Sequence, residues 1–322
     1  MTKPDFNLSF DPHHGVAVRC HATLPIRRLT AGNAGPFTFH GTNTYLIGDS
    51  RLTIIDPGPD DEAHLAALVA AIGSATVETI LVTHTHIDHS PLAAKLKAVT
   101  GAQVAGCGPH FNFRELSFGE TNFLDASGDK QYVPDWQMLD GDNIATELGP
   151  LTAIATPGHT ANHLCFALDN HGVLFSGDHV MGWSTSIVAP PDGAMAPYMT
   201  SLDRLIARKD SLYLPGHGGA IETPNRFVRG LRSHRRMRAK SIAALLANAA
   251  LLSNATLPSN ATLPSNEGIL IPDLVLALYT GLDPRLRGAA ALSVFAHLEE
   301  LLEQGTAYAD GAATLEARYF KA

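Results

Sequence analysis

The sequence has only three cysteines, Cys20, Cys107 and Cys165, and no CxxC pair. An odd, scattered set argues against a disulfide scaffold and fits a reducing cytoplasm. No run of 18 apolar residues occurs, so nothing reads as a membrane span. The opening MTKPDFNLSF has no apolar stretch of the kind an export signal carries, and a cytoplasmic location is expected. Charge is scarce, at 17% of residues, and cations are the minority: 23 Lys and Arg against 31 Asp and Glu, for a net charge of −8. That excludes a globally basic nucleic-acid binder and leaves room for a local basic patch. What is present is enough apolar side chain, 45%, to build a sizeable core and exclude wholesale disorder. At roughly 150 residues per domain, 322 residues suggest two domains.

The first two thirds alternate strand and helix patterns, which points to an α/β layered fold. Residues 40–56 read as two strands around Gly48-Asp49-Ser50, and Asp60–Ile72 as a helix capped by Asp60 or Asp61. Thr79–Thr83 fits a buried strand, and Ser90-Pro91 opens a helix with Ser at the cap and Pro in its first turn. Gln103–Ala105 reads as the next strand. Residues 107–140 mix aromatics with Gly, Pro and Asp and read as an irregular excursion that could form a lid. Strands resume at Leu151–Thr156, Leu164–Leu168, Val173–Ser176 and Leu212–Leu214, with a helix over Met199–Arg208. From Arg226 a long helical pattern begins. Two copies of SNATLP, at 253–258 and 259–264, read as a duplicated linker, and their Asn254 and Asn260 sequons as chance matches. Helical segments at Asp273–Tyr279 and Gly288–Gln304 and a hairpin turning at Asp310-Gly311 suggest a small winged-helix-like module. The domains expected are therefore 1–225 and 226–322.

Histidine is abundant, at 16, and its spacing carries the chemistry. His84-Thr85-His86-Ile87-Asp88-His89 puts four metal-capable side chains on one strand-to-helix turn. Three more strand ends follow: Pro157-Gly158-His159, Ser176-Gly177-Asp178 and Pro215-Gly216-His217. In each, an apolar run leads to a glycine and then a ligand, and the glycine lets the backbone turn tightly at the mouth of the sheet.

HxHxDH, a PGHT histidine, an SGD aspartate and a PGH histidine, in that order, resemble the metallo-β-lactamase-fold hydrolases. With Gly41-Thr42-Asn43-Thr44-Tyr45-Leu46 and the C-terminal module, the chain is similar to the lactamase-beta-like protein 2 group from about residue 15 to 322. The resemblance implies an αββα metallo-β-lactamase sandwich with a C-terminal winged-helix-like α domain. It implies two divalent metal ions, zinc first, with iron or manganese as alternatives. His84, His86 and His159 would hold one, Asp88, His89 and His217 the other, and Asp178 would bridge them. Asp88 is then also the catalytic proton carrier, serving a metal-bridging hydroxide that attacks an ester, thioester or lactone.

Other histidines read differently. His163 is expected behind the ligands as a buried hydrogen-bonding residue, His179 as a substrate-binding residue at the pocket, and His110 as a candidate pocket wall. Asn43 and Tyr45 read as a buried strand with Asn pairing to backbone. Residues 226–240 carry seven cations and no anion, leaving 16 cations against 31 anions elsewhere. That run could bind RNA, which favours the endoribonuclease activity on single-stranded RNA that the resemblance also implies, or it is a solvated helix face that pairs with the acidic main domain or a partner subunit, and the second reading is preferred. A non-catalytic RNA- or protein-binding module with a structural metal is the third function weighed. A small-molecule acyl substrate is expected ahead of RNA, no membrane is expected, and a homodimer stays open.

Overall fold

The computed structural model describes residues 4–118, 120–248 and 268–322. The SNATLP repeat, its sequons and the linker reading lie outside the described residues.

Seven strands form the first sheet in chain order: β1 (Val18–Arg19), β2 (Ile26–Thr30), β3 (Asn43–Ile47), β4 (Arg51–Ile55), β5 (Thr76–Val82), β6 (Gln103–Gly106) and β7 (Trp136–Gln137). Hairpin connections make β1 to β4 antiparallel, and crossovers make β4 to β7 parallel. The crossovers carry α1 (Glu62–Ile72) and α2 (Leu92–Thr100). Asp61 caps α1, accepting from the Ala63 and His64 backbone N–H groups. At α2 the expected serine cap is not made: the helix starts at Leu92 behind Pro91, and the Ser90 hydroxyl donates to Asp129 Oδ2 at 2.7 Å. Pro91 takes the cap position, and Ser90 lies one residue before it.

The second sheet runs β12-β11-β10-β9-β8, from β8 (Asn143–Thr146), β9 (Gly149–Ala155), β10 (Leu164–Leu168), β11 (Val173–Gly177) and β12 (Leu212–Pro215). Its central strand β10 is buried on both faces, and its alternation divides two cores. Leu164, Phe166 and Leu168 face the first sheet, packing with Leu46, Ile54 and Leu81. Cys165 and Ala167 face α3 (Met195–Ile206) and α4 (Pro224–Ala247), packing with Tyr198, Leu202 and Val228. Helix, sheet, sheet and helix layers follow directly from these two cores. Helix α3 starts four residues before the expected Met199, where Ala194 leaves the extended region.

Helix α4 belongs to two cores. Phe227, Val228 and Leu231 pack against α3, whereas Ile242 packs into a third cluster. That cluster is built by α5 (Ile271–Leu278), α6 (Arg287–Glu303) and a small sheet of β13 (Ile269–Leu270), β14 (Ala307–Ala309) and β15 (Arg318–Lys321), in the order β13-β15-β14. The last hairpin does not turn tightly at Asp310-Gly311: Ala309 pairs with Tyr319, and the connection runs on through Ala317. Residues 107–140 are irregular among the described residues, apart from a 3-10 turn at Asp125–Ser127 and β7. No helix among the described residues is long and apolar enough to cross a membrane.

Candidate metal centre

The seven predicted side chains meet at one place, because each follows the carboxyl end of a strand. β5 delivers His84, His86, Asp88 and His89; β9 leads to His159, β11 to Asp178 and β12 to His217. Three sets have ligand atoms within 4.8 Å of one another: His84 with His86 and His159, His84 with His89 and Asp178, and Asp88 with His89 and His217. His159 Nε2 lies 3.0 Å from His86 Nδ1, which lies 3.2 Å from His84 Nε2. On the other side His217 Nε2 lies 3.2 Å from both Asp88 Oδ2 and Asp178 Oδ2, and 3.4 Å from His89 Nε2. Asp178 touches both halves, with Oδ2 3.8 Å from His159 Nε2 and Oδ1 3.5 Å from His89 Nε2.

Two glycines permit this crowding. Gly177 turns the chain at φ +48°, and a Cβ there would sit 2.6 Å from His163 Nε2. A Cβ on Gly216 would run into Asp178 Oδ1 and lie 2.7 Å from His89 Cε1.

Each imidazole has one nitrogen tied outward and the other turned inward. His89 Nδ1 donates to Asp56 Oδ2 (2.9 Å), His86 Nε2 to Asp192 Oδ2 (3.1 Å), and His84 Nδ1 to the Thr83 hydroxyl (2.9 Å). His159 Nδ1 donates to the Ile187 carbonyl (2.6 Å) and His217 Nδ1 to the Gly41 carbonyl (3.2 Å). Asp88 Oδ2 accepts from the Thr42 hydroxyl at 2.9 Å. The inward nitrogens are left with only each other and two carboxylates, and the buried Asp178 Oδ1 has no hydrogen-bond partner. Such a donor set, with tautomers fixed from behind, fits divalent cations.

The electrostatics divide the centre in two. Burial first, then the neighbouring imidazoles, hold His84 well below the usual range. Burial, with His86 beside it, takes His159 down to about 4. These two stay neutral, as metal ligation requires. In the other half burial also opposes charge, but carboxylates overcome it. Asp178 and Asp88 hold His217 up at about 10, and with Asp56 they raise His89 well above its ordinary value. Burial would raise both carboxyls, yet His89 and His217 bring Asp88 and Asp178 well below the carboxylate range. Without a metal this half is a buried cluster of paired charges, where a cation can replace the protons on the imidazoles.

His163 lies behind the centre, where its Nε2 accepts the Asp178 backbone N–H at 3.2 Å and its Nδ1 donates to the Thr156 hydroxyl at 2.8 Å. Asn43 holds the His217 loop, donating to the Pro215 and Gly218 carbonyls at 3.0 and 2.9 Å, and Tyr45 donates to Pro215 at 2.8 Å. His179 is not a pocket residue. It is fully buried beside Asp178 against the Tyr198 ring, in the turn that follows the end of β11 at Gly177. His110 bonds Thr85 Oγ1 at 3.0 Å and does not line the cavity over the centre. Three of the seven cations of α4 reach partners on other elements. Arg232 pairs with Asp203, Arg235 is buried against the Ser186 carbonyl and the Tyr198 ring, and Arg238 donates to the Leu278 carbonyl.

Sequence reasoning missed Asp56, Asp192, Thr42 and Thr83. Asp56 had a readable signal, since it ends the apolar strand LTII just as the ligands end theirs. Asp192 had none, because only the fold brings it to His86.

A cavity of about 580 Å3 opens over the centre, with His86, Asp88, His159, Asp178 and His217 at its base. Phe37, Ile87, Phe123 and Met181 of the main domain and Leu292 and Leu315 of the C-terminal module form its apolar sides. A larger groove of about 840 Å3 between α3 and α6 contains none of the seven ligands.

Residues 37–217 match the metallo-beta-lactamase superfamily, and residues 271–314 match the beta-lactamase associated winged helix domain. The chain is 29% identical over 289 residues to a beta-lactamase-like protein 2 homolog of Drosophila melanogaster, covering 88% of this chain and 89% of that one. It is also 29% identical to an atrochrysone carboxyl ACP thioesterase of Aspergillus fumigatus, over 74% of this chain and 73% of the relative. In solved structures it resembles a beta-lactamase domain protein from Burkholderia ambifaria, with a TM-score of 0.73 and 21% identity, covering 99% of this chain and 97% of the other. The chain belongs to the metallo-beta-lactamase superfamily, as a metal-dependent hydrolase of that fold with a C-terminal winged helix domain.

Proposed function

We propose that the protein is a dinuclear hydrolase of an ester, thioester or lactone. The observation that carries the reading is the convergence of all seven ligand-capable side chains at the base of an apolar cavity. His84, His86 and His159 would hold one divalent cation and Asp88, His89 and His217 the second, with Asp178 between them. Zinc suits these ligands, and iron or manganese would also fit. When bound, the two cations supply a water acidified toward neutrality and an electrophile for the substrate carbonyl.

The chain's own residues do the rest. Asp56, Asp192 and the Ile187 and Gly41 carbonyls fix the imidazole tautomers. Asp88 is the most exposed of the carboxylates at the centre, and Thr42 holds one of its oxygens. It is placed to take a proton from the attacking water and return it to the leaving group. The apolar sides exclude bulk water and take the acyl part of the substrate. A thioester agrees with the activity in the name of the Aspergillus fumigatus relative. The two-part organisation at 1–225 and 226–322 is proposed with α4 as the shared element, and three free cysteines fit the reducing cytoplasm proposed for it.

Ribonuclease activity has weaker support, because Arg232, Arg235 and Arg238 serve internal contacts. Metal-loaded protein offered a thioester, a lactone and a labelled single-stranded RNA separates the readings. Chelator-sensitive turnover of an acyl substrate is expected, and cleavage of RNA alone would overturn the proposal.

A further inference from the structure

The cavity over the centre is closed on one side by the C-terminal module. Gly288 and Ala289, in the first turn of α6, line it together with Leu292 and Leu315. Gly288 has no backbone reason to be glycine: its φ is not left-handed, and a Cβ there would meet no atom within 4 Å. In a helix, glycine costs up to about 1 kcal/mol relative to alanine. What its small size leaves is room in the cavity. Across that room three large apolar side chains of the main domain remain exposed, Phe37 at 46%, Ile87 at 49% and Phe123 at 60%. Large exposed apolar groups grouped in a cleft mark a surface that an apolar ligand covers. The volume of about 580 Å3 falls within the roughly 300–1,000 Å3 of pockets that enclose whole small molecules. Asp178 lines the base of the same space.

We propose that the first turn of α6 is the acyl-selecting wall of the active site, and that the substrate places a bulky apolar acyl group between Gly288, Ala289 and the Phe37, Ile87 and Phe123 side chains. The proposal rests on the hydrolase reading and adds the class of acyl group to it. The winged helix domain then shapes the active site from outside the metal-binding fold.

The test compares kcat/KM for matched decanoyl and acetyl esters on the full chain loaded with zinc, in wild type, Gly288→Leu and Ala289→Leu. Wild type is expected to prefer decanoyl by at least about 100-fold, since each methylene held in an apolar pocket is worth roughly 10-fold or more. Either leucine should reduce that preference by at least about 10-fold. Should a variant turn over neither ester, calorimetric binding of decanoate against acetate to that variant and to wild type gives the same ratio. Wild type that prefers acetyl, or variants that keep the wild-type ratio, would overturn the proposal. Wild type that hydrolyses neither ester yet binds decanoate over acetate with a Gly288-dependent ratio would leave the wall standing and remove ester hydrolysis from the functional reading.

Discussion

Replacing Asp56 with Asn tests the support behind the metal centre, and both outcomes of the amide's orientation can be worked out. Asp56 Oδ1 accepts the Thr83 backbone N–H at 2.8 Å, and Oδ2 accepts the Thr83 hydroxyl at 2.8 Å and His89 Nδ1 at 2.9 Å. With the amide nitrogen at the Oδ2 position, it faces the His89 Nδ1–H, and two donors meet. His89 must then move its proton to Nε2, the nitrogen turned toward Asp88 and His217. With the amide nitrogen at the Oδ1 position, the buried Thr83 N–H loses its acceptor, which costs about 1–3 kcal/mol. The backbone is not perturbed, because Asn tolerates the left-handed φ of +50° at this position as well as Asp does. Loss of such a supporting partner lowers metal affinity roughly 10–100-fold, or about 1.4–2.8 kcal/mol. Titration of metal-free protein followed by calorimetry should show that loss at the equivalent held by Asp88, His89 and His217. Thr83→Val removes a hydroxyl that sits behind His84 Nδ1 and also donates to Asp56 Oδ2, and should weaken both equivalents. An Asp56→Asn variant that binds both metals as tightly as wild type would refute the reasoning.

Three further outcomes are expected. Asp88→Ala should lower turnover at least about 100-fold while the circular dichroism stays native, because it removes the proton carrier; undiminished activity would exclude that role. Arg226, Arg229 and Arg236 are exposed on α4, so their joint replacement by Glu should leave acyl hydrolysis within about 2-fold in a rate assay, and a fall in RNA cleavage would tie that face to RNA. Burial raises Glu299 to about 7 despite Arg114, with Glu120 and Glu303 adding to the rise. The folded chain therefore holds this proton more tightly than the unfolded one; the stabilisation is full below the ordinary Glu value and is lost as pH rises through about 7. Glu299→Gln should accordingly raise stability at pH 8 by on the order of 1 kcal/mol, and thermal melts should show the gain disappearing near pH 4.

The strands and ligands were legible in the sequence for one physical reason. A buried strand writes an apolar run, and a side chain presented at its end follows a glycine or a polar switch. His84 to His89, His159, Asp178 and His217 all carry that signature, and so did the unused Asp56. Contacts made across the chain leave no such mark. Nothing in the local sequence couples Asp192 to His86, or Thr42 to Asp88. His179 misled because adjacency to a ligand does not fix orientation: the turn after Gly177 presents Asp178 to the centre and packs His179 against Tyr198. The basic run of α4 read as a surface because arginine is usually exposed, yet Arg235 is only 3% exposed. Its buried contacts became visible only when α3 and the 179–192 loop were packed around it.

Metal content per folded chain tests the central claim most directly. After reloading with zinc, wild type should hold two equivalents, while His159→Ala and His217→Ala should each hold one tight equivalent, with Asp178→Ala weakening both. Folded wild-type protein that takes up one equivalent or none, or ligand variants that keep two, would contradict a dinuclear centre.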